Sequence, residues 1–174
     1  MRKGFTLIEM MLYVALFAML LGAVGAFVFW TVRTQAKVQS ENEVVFQAQR
    51  AKDIMTKEIQ EAVSIYTPTS VFALHPGQFS LETKNLLPQG ETATFVDFFL
   101  CQTQLCMKRE SQDPLPITSD RVIVQNFTAA QVMTGDIPSL RINLRIAVNP
   151  SSLPEYRASI PLTFTASLRA YETE

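Results

Sequence analysis

Few residues in this chain have the type and surroundings to do chemistry, and the first nine hold most of them. Glu9 stands at the head of an apolar run, among Leu7, Ile8, Met10 and Met11. A carboxylate at the centre of a membrane helix costs about 2.5–3.5 kcal/mol on insertion scales. A cation close by lowers that cost. Cutting the chain between Gly4 and Phe5 would create one, an α-amino group at Phe5 about one helical turn from Glu9. That amine could pair with its own carboxylate or with the carboxylate of a neighbouring chain.

The other reactive side chains are sparse. Cys101 and Cys106 are the only cysteines. In an exported chain such a pair suggests one disulfide in an oxidising compartment, with two buried thiols as the alternative. Two thiols are too few for a zinc site, and the spacing is not that of a Cys-x-x-Cys redox motif. The single histidine, His75, lies beside Pro76 and Gly77 and reads as an exposed loop residue. Asp113, Asp120 and Asp136 are scattered and lack the dense oxygen ligands calcium takes. Asn126-Phe127-Thr128 matches a glycosylation sequon but falls in a strand pattern. No glycine-rich phosphate loop occurs. Arg141, Arg145 and Arg157 could attract an anion, or line a solvated strand face. The inventory supports neither an enzyme nor a cofactor or metal site. A formal net charge of −1 gives no reason to expect nucleic acid.

The elements that must position Glu9 begin with a long helix. Met10–Val32 is 23 residues without a charge or a proline. At about 1.5 Å per residue such a helix crosses roughly 30 Å of hydrocarbon. Gly22 and Gly25 are its weak points, each costing about 1 kcal/mol relative to alanine. Arg2 and Lys3 precede it, so the N-terminus is expected to stay in the cytoplasm. A cleaved signal peptide, with a cut near Ala26, and a plain anchor are the competing readings. Neither gives Glu9 a purpose, and the run exceeds the roughly 7–15 residues of a signal core.

Beyond Arg33 the chain is polar but keeps a helical beat. Val38, Val45, Ala48, Met55, Ile59 and Ala62 share a face, widened by Val44 and Val63, with Lys52 snorkelling from within it. Gln47, Gln49, Arg50, Asp53, Lys57, Glu58 and Glu61 cover the other side. One helix is therefore expected from about Phe5 to Ser64, roughly 90 Å long, with Thr67-Pro68 ending it. After Pro68 the period changes to two. Thr92–Leu100, Arg121–Phe127, Leu140–Val148 and Ile160–Leu168 alternate as half-buried antiparallel strands do. Pro161 marks the last as an edge strand. Cys101 and Cys106 flank a hairpin turn, and a bridge there would contribute about 2 kcal/mol by loop closure. The fold class is α+β, a long N-terminal helix packed on an antiparallel β-sheet headgroup. The expected organisation is a leader at 1–4, a transmembrane helix half at 5–33, an amphipathic half at 34–65 and a β-rich headgroup at 66–174.

Lys3-Gly4-Phe5-Thr6-Leu7-Ile8-Glu9, followed by a long charge-free run, resembles the class III signal of type IV prepilins and pseudopilins. The resemblance implies the type IV pilin fold. It implies a prepilin peptidase that cuts after Gly4 and methylates Phe5, and a Glu9 that registers each incoming subunit against its neighbour's N-terminal amine. It further implies an inner-membrane assembly platform, membrane lipid and other pilin or pseudopilin subunits as partners. The precursor would sit in the inner membrane with its headgroup outside, then move into a pilus or pseudopilus. Losing Arg2 and Lys3 takes the basic residues from 15 to 13 against 16 acidic ones, so the formal charge falls from −1 to −3 before the new amine is counted. From Thr92 onward the order of elements resembles W-type minor pilins and the J-type minor pseudopilins of type II secretion. That likeness implies a subunit that primes or caps the filament. The alternatives are a major filament subunit, or an adhesin or ligand-binding module on a pilin-type anchor.

Overall fold

The computed structural model describes residues 6–85 (the backbone alone at Ala36), 87, 89–110, 112–149 and 158–169. One helix, α1 (Leu7–Glu61), precedes eight strands: β1 (Ser64–Val71), β2 (Gln78–Thr83), β3 (Thr94–Cys101), β4 (Gln104–Arg109), β5 (Leu115–Pro116), β6 (Val122–Thr134), β7 (Ile137–Val148) and β8 (Ser159–Ser167). The fold is α+β, consistent with the type IV pilin fold. The chain divides into two compact units, Met1–Gln39 and Ser40–Glu174.

In the first unit Thr6 precedes α1, which begins at Leu7. The Glu9 N–H lies 3.4 Å from the Thr6 hydroxyl and 3.1 Å from its carbonyl. Thr-x-x-Glu is the pattern of a helix-capping box, and an acid in the first turn also meets the positive end of the helix dipole. Every large apolar side chain from Leu7 to Val32 is exposed. A helix that is apolar all round and covered by nothing needs a non-aqueous solvent.

In the second unit the helix becomes one-sided. Val44, Ala48, Ala51, Met55, Ile59 and Ala62 are buried, at spacings of three and four. They join a single core with residues of both sheets. Two expectations for this face fail. Val38 is exposed, whereas Gln47 and Glu58, expected on the wet side, are buried. Both flank the stripe, and both are satisfied by partners distant in sequence, described below.

The helix also stops earlier than expected. It ends at Glu61, not near Ser64. The Ala62 N–H donates to the Ile59 carbonyl at 3.3 Å, and the Val63 N–H to Glu82 of β2 at 2.8 Å. From Ser64 the chain is already strand, and Pro68 lies inside β1 instead of ending a helix. The sheet tolerates that proline because β1 is an edge strand whose register shifts between Tyr66 and Val71.

Instead of one sheet there are two. The first has order β1-β2-β3-β4-β5, the second β6-β7-β8, and all pairings are antiparallel. β8 is an edge strand, as Pro161 suggested. Gly135 at φ 64° makes the two-residue turn between β6 and β7, a conformation in which glycine meets no Cβ penalty. Phe79 and Phe98 are register partners with rings 4.9 Å apart, and Phe127 of the other sheet comes within 6.1 Å of Phe79. These three fully buried rings tie the sheets together.

The β1–β2 loop closes the β6 edge. Ala73 and Gly77 donate backbone N–H groups to the carbonyls of Ala129 and Phe127, at 2.8 and 2.9 Å. The Phe127 N–H donates to His75 Nδ1 at 3.1 Å. His75 is exposed, but it is a structural acceptor as well as a solvated loop residue. A Cβ on Gly77 would stand 3.0 Å from the Phe127 carbonyl and 3.2 Å from Thr128 Cα. Gly77→Ala is expected to lower stability by about 1–3 kcal/mol, the usual cost of overpacking. Chemical denaturation of the full chain in detergent measures it.

Candidate functional site

Of the residues expected to act at the N-terminus, Gly4 and Phe5 lie outside the described residues. Glu9 is exposed, one position from the exposed side chains of Ile8 and Met10. Its carboxylate makes no ion pair among the described residues. Nothing stands within 4 Å of where a Cβ would lie on Gly22 or Gly25, so small residues keep part of the helix surface flat. α1 is the one described helix long and apolar enough to cross a membrane. The site is therefore a carboxylate, a preceding Thr6 cap and a following apolar rod.

Residues 1–25 match the family model described as the prokaryotic N-terminal methylation motif. This segment is the type IV prepilin-like signal. No curated protein and no solved structure matches the chain. The prepilin-like signal supports a pilin-like or pseudopilin-like protein processed by prepilin peptidase, with membrane anchoring through the apolar part of α1.

Among the described residues, the headgroup's reactive side chains are arranged as follows. Cys101 and Cys106 are joined in a disulfide with Cα atoms 5.8 Å apart. As expected, they flank a hairpin: Cys101 pairs with Gln104 across a two-residue turn. Gln102 in that turn has φ 60°, a strained position for a side chain, and the bridge holds the strands on either side of it. The Thr103 carbonyl at the tip accepts the Val124 N–H of β6 at 2.8 Å, so the bridged hairpin touches the second sheet. No group of three or more potential metal ligands occurs among the described residues. Asp113, Asp120 and Asp136 are all exposed. Asn126-Phe127-Thr128 runs through β6 with Phe127 in the core. Arg141 and Arg145 are exposed on β7; Arg157 lies outside the described residues.

Two polar attachments were hidden from sequence reasoning. Arg109 on β4 reaches Glu58 on α1, with Nη2 2.6 Å from Oε1. Burial pushes the Glu58 carboxyl above its ordinary value of 4.5, and the Arg109 charge offsets only part of that. Gln47 accepts the Ser119 N–H at 3.2 Å and donates to Glu43 at 2.9 Å, while the Ser119 hydroxyl donates to Glu43 at 3.4 Å. Both attachments join α1 to residues more than 50 positions away. No local pattern announces such a pair. Thr6 was different, since Thr-x-x-Glu stood in plain view.

Two outcomes follow from these contacts. Reducing the disulfide, or replacing Cys101→Ser and Cys106→Ser together, is expected to cost about 2 kcal/mol by the chain-entropy relation for so short a loop. Denaturation midpoints with and without reductant measure it. Folding favours protonated Glu58, so this group's contribution is complete below 4.5 and falls as pH rises through its raised folded value. Wild type should lose stability relative to Glu58→Gln over that rise, in parallel denaturant titrations.

Proposed function

We propose that the chain is a minor pilin or minor pseudopilin that primes or caps a type IV pilus or a type II secretion pseudopilus. The observation that carries this reading is the prepilin-like signal at residues 1–25 running into a helix whose large apolar side chains from Leu7 to Val32 are all exposed. Prepilin peptidase cuts between Gly4 and Phe5, and the new Phe5 amine is methylated. Glu9 then selects the register in which a subunit docks. A charge pair in a low-dielectric surround is far cheaper than an unpaired charge, so registers that leave Glu9 alone are disfavoured. The minor assignment draws on the likeness of the region from Thr92 onward to W-type minor pilins and J-type minor pseudopilins.

Mass analysis of the mature N-terminus tests the class. A chain beginning with N-methylated Phe5 is the expected result; a chain still beginning at Met1, or cut near Ala26, overturns it. Glu9→Ala should leave processing intact and reduce recovery in sheared filaments, with normal recovery refuting the pairing role. Quantitative mass spectrometry of those filaments addresses abundance. This chain should be present at a small fraction of a second subunit.

A further inference from the structure

We propose that Phe29, Trp30 and Arg33 form an anchor at one lipid–water interface, and that this anchor sets Glu9 at the opposite interface in the membrane-resident subunit. The inference rests on the membrane-anchored reading above and adds a depth and a lipid contact to it. Its occupant is the headgroup region of a phospholipid bilayer.

Three observations within the first unit carry it. First, Arg33 is the first charge after the uncharged run, and its guanidinium lies 5.0 Å from the Phe29 ring centre. Arg33 has no carboxylate partner among the described residues. A guanidinium folded over an aromatic ring is suited to the boundary where apolar chains give way to phosphates. Second, Trp30 is about two-thirds exposed, and its ring is tilted against that of Phe27, with ring centres 6.5 Å apart. Its indole N–H wants a polar partner while its rings want an apolar one, which is why tryptophan collects at membrane surfaces. Third, the hydroxyls of Thr31 and Thr34 donate to the Phe27 and Trp30 carbonyls at 2.9 and 3.0 Å. Polar side chains satisfied by their own helix can stand at the hydrocarbon edge without water.

The consequence for Glu9 is one of length. Glu9 precedes Trp30 by 21 residues, or roughly 32 Å along a helix at about 1.5 Å per residue. An ordinary tilt of about 20° brings this to roughly 30 Å, the thickness of the hydrocarbon layer. With Trp30 at one boundary, Glu9 falls at the other and stays wet. Its carboxylate is then inexpensive in the waiting subunit. It meets hydrocarbon only when the helix is drawn outward, the moment at which a paired amine becomes necessary.

Trp30 is the single tryptophan, and the bridged pair leaves no free thiol, so the chain carries its own probes. The full chain is reconstituted in phosphatidylcholine–phosphatidylglycerol vesicles. Flotation tests anchoring. Lipids brominated near the headgroup end or near the methyl end of the acyl chain then report the depth of Trp30 by quenching. The shallow bromines should quench more strongly, and Arg33→Leu should reverse that order. In parallel, Glu9→Cys should react with a membrane-impermeant maleimide supplied to both faces, whereas Leu20→Cys, midway along the span, should not. A chain that floats but is quenched most by the deep bromines, or by neither set, overturns the proposal and leaves anchoring intact. So does an unreactive Glu9→Cys. A chain that does not float overturns both.

Discussion

A single helix has to satisfy two solvents, and the rest of the molecule follows from that constraint. Within hydrocarbon every backbone N–H and C=O must find its partner inside the segment, because no water is there to replace it. α1 meets the demand without a proline from Leu7 to Glu61. Over its first stretch the side chains are apolar in every direction, which lipid accepts and water does not. Over its last stretch the apolar side chains contract to one stripe, because there the partner is a protein core on one side and water on the other. No break separates the two regimes. The change is written entirely in which positions carry charge.

The headgroup secures its portion of the helix with apolar area and with a few polar bonds. Met55, Ile59 and the Phe79–Phe98–Phe127 cluster exclude water. Apolar burial is non-directional and leaves a helix free to slide or rotate. Glu58–Arg109 and Glu43–Gln47–Ser119 are directional: each has one acceptable geometry. A buried polar pair left unmade is expensive, so these contacts penalise any other docking of α1 on the strands. The loop at Ala73–Gly77 and the bridged hairpin at Cys101–Cys106 do the same between the sheets, by backbone hydrogen bonds to β6.

The N-terminal segment and the headgroup therefore differ in what they ask of neighbours. The headgroup closes its own core. The first unit closes nothing, and every apolar side chain described there faces outward. Glu9 concentrates this incompleteness in one side chain. Thr6 caps its backbone locally, but no described residue neutralises its carboxylate. A segment so built is finished only by what surrounds it, because its apolar side chains need a non-aqueous environment.

Much of this was legible in one dimension because the deciding physics is local. Charge-free length, the position of Glu9 after Lys3-Gly4-Phe5, the lone proline in β8 and the short hairpin between the cysteines all depend on neighbours within a few residues. Alternation in β3, β6, β7 and β8 was readable for the same reason, since each has one face on the core. β1 and β2 were not readable. β1 is an exposed edge strand containing Pro68, so its residues carry no clean alternation, and only its pairing with Glu82, Leu81 and Ser80 makes it a strand. The division into two sheets, the end of α1 at Glu61 and the burial of Gln47 and Glu58 belong to the same class. Each is settled by a partner far along the chain: Glu82 for Val63, Ser119 for Gln47, Arg109 for Glu58. Sequence alone determines where this chain must leave water, because transfer free energy is a sum over consecutive residues. Only the tertiary structure decides which polar residues leave water with it, because that depends on which distant group arrives to bond them.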